Sequence, residues 1–312
     1  MIQRRYAGAM RVLVTGATGF IGHTLVPALR RDGHTVVAWV RSLDRARQRL
    51  DAAVELVRVD AGFDALVSAV SRVDGVVNLA GEPLIGRRWT PDRRRALETS
   101  RVDLTRNLVR AMAVAPAKPR VLVSASAVGY YGDRGDERLS EQSPAGDDFL
   151  AHLCRGWEDA AMAARAHGVR VVVSRFGVVL GPDGGALARM MLPFKLGLGG
   201  PIGSGRQYMP WIHIDDVAAF VAAALADAGC RGPTNMVAPQ VATNRMFTAA
   251  LGRAVHCPAV LPVPAFALRL IFGEAATVLL ASQRVEPRAL LDRGFSFVFP
   301  GLDAALASII SR

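Results

Sequence analysis

Three glycines spaced by three, Gly16, Gly19 and Gly22, follow the apolar run Val12-Leu13-Val14-Thr15 and open onto the helix-like stretch Phe20-Ile21-Gly22-His23-Thr24-Leu25-Val26. Glycines let the chain turn tightly and let backbone N–H groups approach a phosphate, and the helix behind them presents the positive end of its dipole. The order strand, glycine turn, helix is what a dinucleotide-binding βαβ unit requires, here spaced G-x-x-G-x-x-G rather than G-x-G-x-x-G. The next strand, Thr35-Val36-Val37-Ala38-Trp39-Val40, ends at Arg41-Ser42, with no acid before Asp44. An acid at that point hydrogen-bonds the 2′-hydroxyl of NAD, whereas an arginine suits the 2′-phosphate of NADP through charge-assisted, often bidentate bonds. The expected cofactor is therefore NADP(H) in preference to NAD, with Arg45 and Arg47 nearby. The plainer alternative is an exposed Arg41 that touches nothing.

Other chemistry-bearing residues are sparse. The six histidines (23, 34, 152, 167, 213 and 256) show no metal-ligand spacing, so no metal is expected. Cys154, Cys230 and Cys257 form no C-x-x-C pair, and an odd count argues against a disulfide framework. A reducing cytoplasm fits.

These residues need a scaffold, and the composition supplies one. With 312 residues, 51% apolar and 21% charged, the chain can bury a sizeable core. The net charge of +11 raises the question of nucleic acid, but the 36 arginines among 38 basic residues are scattered along the chain. No RRM, zinc-finger or basic-heptad pattern accompanies them, so a small-molecule substrate is expected and nucleic acid is not. The run Arg93-Arg94-Arg95 reads as a solvated helix face. Residues 1–10 read as a disordered leader without an apolar signal segment. The late apolar stretch 259–281 is broken by Pro262, Pro264, Arg269 and Glu274, too often to span a bilayer.

Strands are expected at 54–59, 73–81, 121–126 and 169–176, with helices from the glycine turn to Asp32 and over 91–114 and 150–167. Strand four leaves the sheet on small residues, over which a cofactor can lie. This alternation predicts an α/β chain with a Rossmann-type doubly wound parallel sheet over 11–180, regained at 211–230. Residues 181–210, crowded with Gly and Pro, read as loop, and with 231–312 they make a smaller mixed C-terminal lobe. Asp215 or Asp216 is expected to cap a helix over 217–226.

Three blocks carry a family resemblance: Thr15-Gly16-Ala17-Thr18-Gly19-Phe20-Ile21-Gly22, Ser124-Ala125-Ser126-Ala127-Val128-Gly129-Tyr130-Tyr131-Gly132 and Trp211-Ile212-His213-Ile214-Asp215-Asp216. They resemble the extended short-chain dehydrogenase/reductases, which include nucleotide-sugar epimerases and dehydratases. Asn78-Leu79-Ala80-Gly81-Glu82, the segment Pro193-Phe194-Lys195-Leu196-Gly197-Leu198-Gly199-Gly200-Pro201-Ile202-Gly203-Ser204-Gly205 and Ser282-Gln283-Arg284-Val285 are similar to an atypical "epimerase family" branch. That branch has a generally unassigned substrate and a C-terminal domain of unknown function. The resemblance implies that Thr18, Gly19, Phe20 and Ile21 contact the pyrophosphate beside Gly16. It also implies that Val40 and Arg41 bracket the 2′-phosphate, that Leu79 and Ala80 pack along the adenosine, and that Val179 sits at the nicotinamide end. Arg101 stands where many members carry an Asn near the cofactor, there to hold a phosphate or ribose or, alternatively, to form a surface salt bridge.

The resemblance also exposes a gap. The superfamily uses a Tyr as acid/base and a Lys four residues on that lowers its pKa and grips the ribose. Lys118 and Lys195 are the two lysines, and Val114 and Met191 precede them by four, so no Tyr-x-x-x-Lys exists. Registered on Glu158, the expected places hold Leu150 and Cys154. The candidates left for catalysis are Ser126 (or Ser124), where the family places a substrate-binding hydroxyl, and Tyr130 with Tyr131 in the following loop. Glu82 at the pocket mouth, His213, and Arg206 and Gln207 after the glycine loop each have a bland packing or surface role as the alternative. Two functions follow: an NADP(H)-dependent oxidoreductase or epimerase-like enzyme, a homo-oligomer being one option, or a non-catalytic NADPH sensor or scaffold.

Overall fold

The computed structural model describes residues 8–182 and 184–311. Its strands are β1 (Arg11–Thr15), β2 (Thr35–Val40), β3 (Glu55–Arg58), β4 (Gly75–Asn78), β5 (Val121–Ala127), β6 (Arg138–Leu139), β7 (Arg170–Phe176), β8 (Val178–Leu180), β9 (Trp211–His213), β10 (Gly232–Met236) and β11 (Arg284–Val285). Seven of them form one parallel sheet in the order β10-β7-β5-β4-β1-β2-β3, while β6 pairs with β11 and β8 with β9. Strand order reverses between β1 and β4, and the carboxyl ends on either side of that switch point leave the crevice where ligands of such sheets bind.

Alternation along the strands builds both faces of the core. Val12 and Val14 of β1, Val36 and Ala38 of β2, and Val121 and Val123 of β5 turn to one apolar cluster. Leu13, Val37, Leu122, Val171 and Val173 turn to the other. Successive side chains of a strand point to opposite faces, and a parallel sheet must be covered on both. The cover comes from α1 (Phe20–Arg31), α2 (Leu43–Arg49), α3 (Phe63–Ser71), α4 (Pro91–Glu98), α5 (Leu104–Val114) and α6 (Phe149–Met162). The remaining helices are α7 (Gly185–Lys195), α8 (Ile214–Ala226), which joins the cover of the sheet, α9 (Asn244–Ala254), α10 (Ala265–Phe272), α11 (Thr277–Leu280), α12 (Arg288–Asp292) and α13 (Leu302–Ile310). Leu25, Val26 and Leu29 of α1 share the first cluster with Val217, Val221 and Leu225 of α8; Leu66, Val70, Leu108 and Met112 of α3 and α5 fill the second.

Several expectations are corrected. The expected helix over 91–114 is interrupted by a π-helical turn at Thr99–Asp103, which separates α4 from α5. The expected loop at 181–210 contains α7, which carries Pro193 within its last turn. The sheet does not end at residue 230, because β10 pairs with β7 as an edge strand. Gly232 and Pro233 disguise it, and an edge is where a strand tolerates proline. The cap of α8 is neither aspartate but His213, whose Nδ1 accepts from Asp215 N at 3.1 Å. Asp216 is instead fully buried and accepts from the backbone N–H groups of Val298 and Phe299, tying α8 to the end of the chain. Within the expected leader, residues 1–7 lie outside the described residues, but Met10 is buried and its N–H donates to His34 Nδ1 at 3.1 Å. Among the described residues no helix is long and apolar enough to cross a membrane.

Candidate functional site

The glycine turn is fixed by close backbone approach. Gly16 has φ +69°, and a Cβ there would lie 2.8 Å from the carbonyl carbon and oxygen of Leu79. A side chain at Gly22 would collide with the carbonyl oxygens of Gly16 and Ala17. The turn is thus pressed against the exit of β4 on one side and the first turn of α1 on the other. Gly19 N donates to Gly16 O at 2.9 Å and leads into α1, which has no side-chain cap and no acid in its first turn. Such an end, with unsatisfied N–H groups and a positive dipole, is a ready anion site. Thr18 and Ile21 are half-buried and Gly19 is exposed. The Phe20 ring packs under Gly181, Gly184 and Gly185, so Phe20 offers the turn its backbone.

A buried polar row holds the strand ends beneath. Thr15, Asn78 and Ser124 are in register across β1, β4 and β5. Thr15 Oγ1 donates to Asn78 Oδ1 at 2.7 Å, and Asn78 Nδ2 donates to Thr105 Oγ1 at 2.8 Å and Ser124 Oγ at 3.2 Å. Leu79 N and Ala80 N both reach Thr15 Oγ1 at 3.2 Å, which aims the half-buried Leu79 and Ala80 along the crevice. Val40 is buried at the end of β2, and Val179 is half-buried in β8.

Arginines surround this bed. Arg41 is exposed and donates to Glu82 Oε1 at 2.9 Å; Arg93 reaches the other Glu82 oxygen at 3.4 Å. Hydrogen bonding from Arg41, aided by Arg93, holds the Glu82 carboxyl below the usual carboxylate range, so Glu82 stays ionised and is a poor proton donor. The Arg93-Arg94-Arg95 run is therefore not one solvated face: Arg94 pairs with Glu274 and lies over the Phe149 ring, and only Arg95 is exposed. Arg49, which sequence reasoning passed over, donates to Thr18 O at 3.2 Å. Arg101 is not the surface salt bridge that was its alternative: it is 8% exposed, donates to Glu82 O at 2.8 Å, and its guanidinium lies over the Trp157 ring at 5.3 Å.

At the other end of the crevice, Ser126 is buried and donates to Glu158 Oε1 at 2.6 Å. Glu158 is itself gripped by Arg175 through Nε at 2.9 Å and Nη2 at 2.8 Å. Arg175 also donates to Tyr131 OH at 3.0 Å and lies 3.5 Å from the centre of the Tyr130 ring. Tyr131 OH donates to Asn235 Oδ1 at 2.6 Å. Ser126 and Tyr130 thus stand on one connected network, with the Ser126 proton directed to a carboxylate. An arginine inside the apolar strand Val171-Val172-Val173-Ser174-Arg175-Phe176 is the signal in the sequence that could have pointed to this network. Neither His213 nor Gln207 faces the crevice as a free group: His213 is buried against Phe299 with ring centres 4.0 Å apart, and Gln207 donates to Ile202 O at 3.0 Å. Arg206 is exposed.

Cys154 is 4% exposed and burial pushes its thiol up to about 12, which leaves negligible thiolate at neutral pH. Alkylation of the native protein at pH 8 should modify the half-buried Cys257 and spare Cys154 and Cys230, both buried, until denaturant is added. Peptide mapping that finds Cys154 modified in the native state would contradict this burial.

A doubly wound parallel sheet with a glycine turn at its switch point, an uncapped helix N-terminus and a basic rim defines a dinucleotide-binding protein of the Rossmann class. The chain belongs to the NAD dependent epimerase/dehydratase family, whose model matches residues 12–236; residues 263–309 match a domain of unknown function, DUF1731. It is 42% identical over 307 residues to the epimerase family protein SDR39U1 of Bos taurus, covering 97% of this chain and 100% of that one. An Arabidopsis thaliana homolog described as chloroplastic is 42% identical over 303 residues, covering 96% of this chain and 87% of the relative. The crystal structure of human SDR39U1 (isoform 2) with NADPH superposes with a TM-score of 0.88 at 39% identity, covering 97% of this chain and 100% of that chain.

Proposed function

We propose that this protein binds NADP(H) in the crevice and acts as an epimerase-like oxidoreductase of the short-chain dehydrogenase/reductase type on a small molecule. The observation that carries the reading is Arg41 at the carboxyl end of β2, beside an α1 N-terminus that has neither side-chain cap nor acid. The residues present fit the cofactor: Gly16 and Gly22 let the turn press against the exit of β4 and the start of α1, which leaves the exposed Gly19 and the uncapped N-terminus of α1 to face a pyrophosphate, and no carboxylate replaces Arg41 to favour a free 2′-hydroxyl. Human SDR39U1, 39% identical, was crystallised with NADPH. Gly16, Thr18, Gly19, Phe20 and Ile21 would hold the pyrophosphate. Val40 and Arg41 would hold the 2′-phosphate, Leu79 and Ala80 the adenosine side, Arg101 a phosphate or ribose, and Val179 the nicotinamide end. When bound, the cofactor supplies hydride chemistry. The chain's own part is to orient substrate between Ser126 and Tyr130 and to exclude water.

A second reading, a nucleotide sensor without turnover, is favoured by one specific observation. The dyad positions hold Leu150 and Cys154, and the Ser126 hydroxyl donates to Glu158. Consumption of NADPH with a panel of carbonyl compounds and nucleotide-sugars separates the two, since a sensor shows none with any of them.

A charge-assisted hydrogen bond contributes about 1.5–3 kcal/mol, and the exposure of Arg41 places its effect at the low end. NADPH is therefore expected to bind about tenfold more tightly than NADH by fluorescence titration. Arg41→Ala should weaken NADPH and leave NADH unchanged. Equal affinity of the wild-type protein for both would overturn the NADP assignment.

A further inference from the structure

Arg284 of β11 is half-buried, yet it donates no hydrogen bond and forms no ion pair among the described residues. Its Nε is shut off from solvent without an acceptor, and its guanidinium lies 5.3 Å from the centre of the Tyr208 ring. The sheltered guanidiniums of Arg175 and Arg170 are, by contrast, fully engaged. Arg175 grips Glu158 and Tyr131, and Arg170 donates to the carbonyls of Ala224, Leu225 and Cys230. A guanidinium keeps its charge and its five donors, so holding one partly out of water and unpaired is unfavourable until a partner arrives. The carboxylates on the neighbouring segments already have partners: Asp133 Oδ1 accepts from Ser282 N at 3.0 Å, and Glu286 Oε1 from Arg138 Nε at 2.6 Å. Arg138 stands opposite Arg284 in the β6–β11 register, which adds a second positive charge beside the first.

The backbone around this cation is tied down on two sides. Ser282 Oγ donates to Gly135 O at 2.7 Å and accepts from Tyr208 N at 3.0 Å. Gln283 Nε2 donates to Gly132 O at 3.0 Å, and Gln283 N to Tyr208 O at 3.2 Å. Arg284 therefore sits where the C-terminal lobe meets both the loop after β5 and the glycine-rich segment that leads into β9. Each contact continues towards the substrate end of the crevice. Val285, the next residue, packs in the apolar cluster that holds Tyr131 and Tyr130. From Tyr208 the chain runs to Pro210, whose carbonyl accepts from Val178 N at 2.8 Å, one residue before Val179. Tyr130 and Val179 are the residues given above to the substrate and to the nicotinamide end. The block Ser282-Gln283-Arg284-Val285, which has no part in cofactor binding, thus carries an unpaired cation beside that end.

We propose that Arg284 binds an anionic group of the substrate, and that the substrate is a small carbonyl or hydroxyl compound carrying a carboxylate or phosphate. The proposal rests on the reading that places substrate between Ser126 and Tyr130. A planar guanidinium matches either oxyanion through paired, charge-assisted N–H···O bonds. Contact with the Tyr208 ring fixes the plane of the fork before the ligand arrives, which lowers the ordering cost of binding. A neutral compound of the same shape leaves the cation unpaired, so the site discriminates against it.

The test compares wild type, Arg284→Gln, Arg284→Lys and a charge control, Arg31→Gln, whose exposed arginine ends α1 away from the glycine turn. Melting is followed at constant ionic strength in chloride, with and without NADPH, and with millimolar oxalate or inorganic phosphate. Free Arg284→Gln should melt no lower than wild type, because the substitution breaks no hydrogen bond. Oxalate or phosphate should raise the wild-type melting temperature by about 3 °C once in tenfold excess over its dissociation constant. Arg284→Gln should lose that rise, Arg284→Lys keep part of it and Arg31→Gln keep all of it. NADPH consumption is then compared between matched compounds, succinic semialdehyde against butanal and glyceraldehyde 3-phosphate against glyceraldehyde. The anionic member of a pair should be preferred, and Arg284→Gln should raise its KM at least tenfold with kcat within threefold. The proposal is overturned if neither anion stabilises wild type, if Arg284→Gln responds as wild type does, or if the neutral compounds are preferred. A lower melting temperature of the free variant with its anion response intact also overturns it, since that marks a structural residue. Consumption of none of the four compounds, or no binding of NADPH, counts against the enzyme or cofactor reading instead, and the anion comparison on the free proteins still decides the role of Arg284.

Discussion

Arg175→Met is expected to lower folding stability by about 3–5 kcal/mol, the cost of leaving a buried partner charge uncompensated. In a chain of this size that corresponds to a fall in melting temperature on the order of 10 °C. The Arg175 and Glu158 side chains are 4% and 10% exposed, so little water is available to solvate the carboxylate left behind. The loss extends beyond the pair. Arg175 also donates to Tyr131 OH and to Glu141 O at 3.2 Å, and Glu141 Oε1 accepts from Asn235 N and Ala289 N. One guanidinium therefore joins β7, α6 and the loop after β5, and Tyr131 and Glu141 carry the network on to Asn235 and Ala289. The double variant Arg175→Met with Glu158→Gln should recover part of the loss, because both charges are then gone. Urea unfolding of both variants measures this, and a single-variant loss under about 1 kcal/mol would mean that the pair is solvated after all.

Gly16→Ala is expected to reduce NADPH affinity by about a hundredfold or more. Its Cβ would sit 2.8 Å from the Leu79 carbonyl group, in a backbone conformation with φ +69° that L-residues avoid. Neither backbone can yield cheaply: Leu79 N and Ala80 N are tied to Thr15, and the Gly16 carbonyl both receives Gly19 N and lies against Gly22. The turn must move, and the N–H groups proposed to hold the pyrophosphate move with it. Losing two hydrogen bonds to a charged group, at about 1.5–3 kcal/mol each, accounts for the expected factor. Gly33→Ala serves as control, since it too has positive φ but has open space around it and lies away from the turn. Equal loss of NADPH affinity in both variants would attribute the effect to general destabilisation.

The parts of the fold that were legible in the sequence are those written locally. The glycine turn, the apolar runs of β1, β2, β5 and β7, and the Gly33 stop of α1 all announce themselves within a few residues. Where local signals mislead, tertiary context decides. Gly232-Pro233 resembles a turn but pairs as the sheet edge, and the Gly- and Pro-rich segment after 181 accommodates α7. The same division holds in the site. The position of Arg41 at the exit of β2 could be read, because a strand end has a fixed position relative to the turn. Of the Ser126–Glu158–Arg175 network only the arginine inside an apolar strand is visible locally; its partners are not, since only the register of β5 on β7, with Ser126 opposite Arg175, brings residues so far apart in the chain together. Nor could the ion pairing of Glu82 be read. Its partners Arg41 and Arg93 come from the exit of β2 and from α4, and the intervening turn geometry decides which carboxylate they meet.

The most direct test of the central claim, that the crevice holds NADP(H) by its 2′-phosphate, is ³¹P NMR of the NADPH complex across pH 5–8. A free phosphate monoester takes up its second proton with a pKa of about 6. A guanidinium beside the group favours the dianion and lowers that pKa. The bound 2′-phosphate resonance is predicted to keep its dianionic shift down to the lowest pH of the titration in wild type and to titrate near 6 in Arg41→Ala. A wild-type resonance that titrates as the free cofactor does would contradict the account.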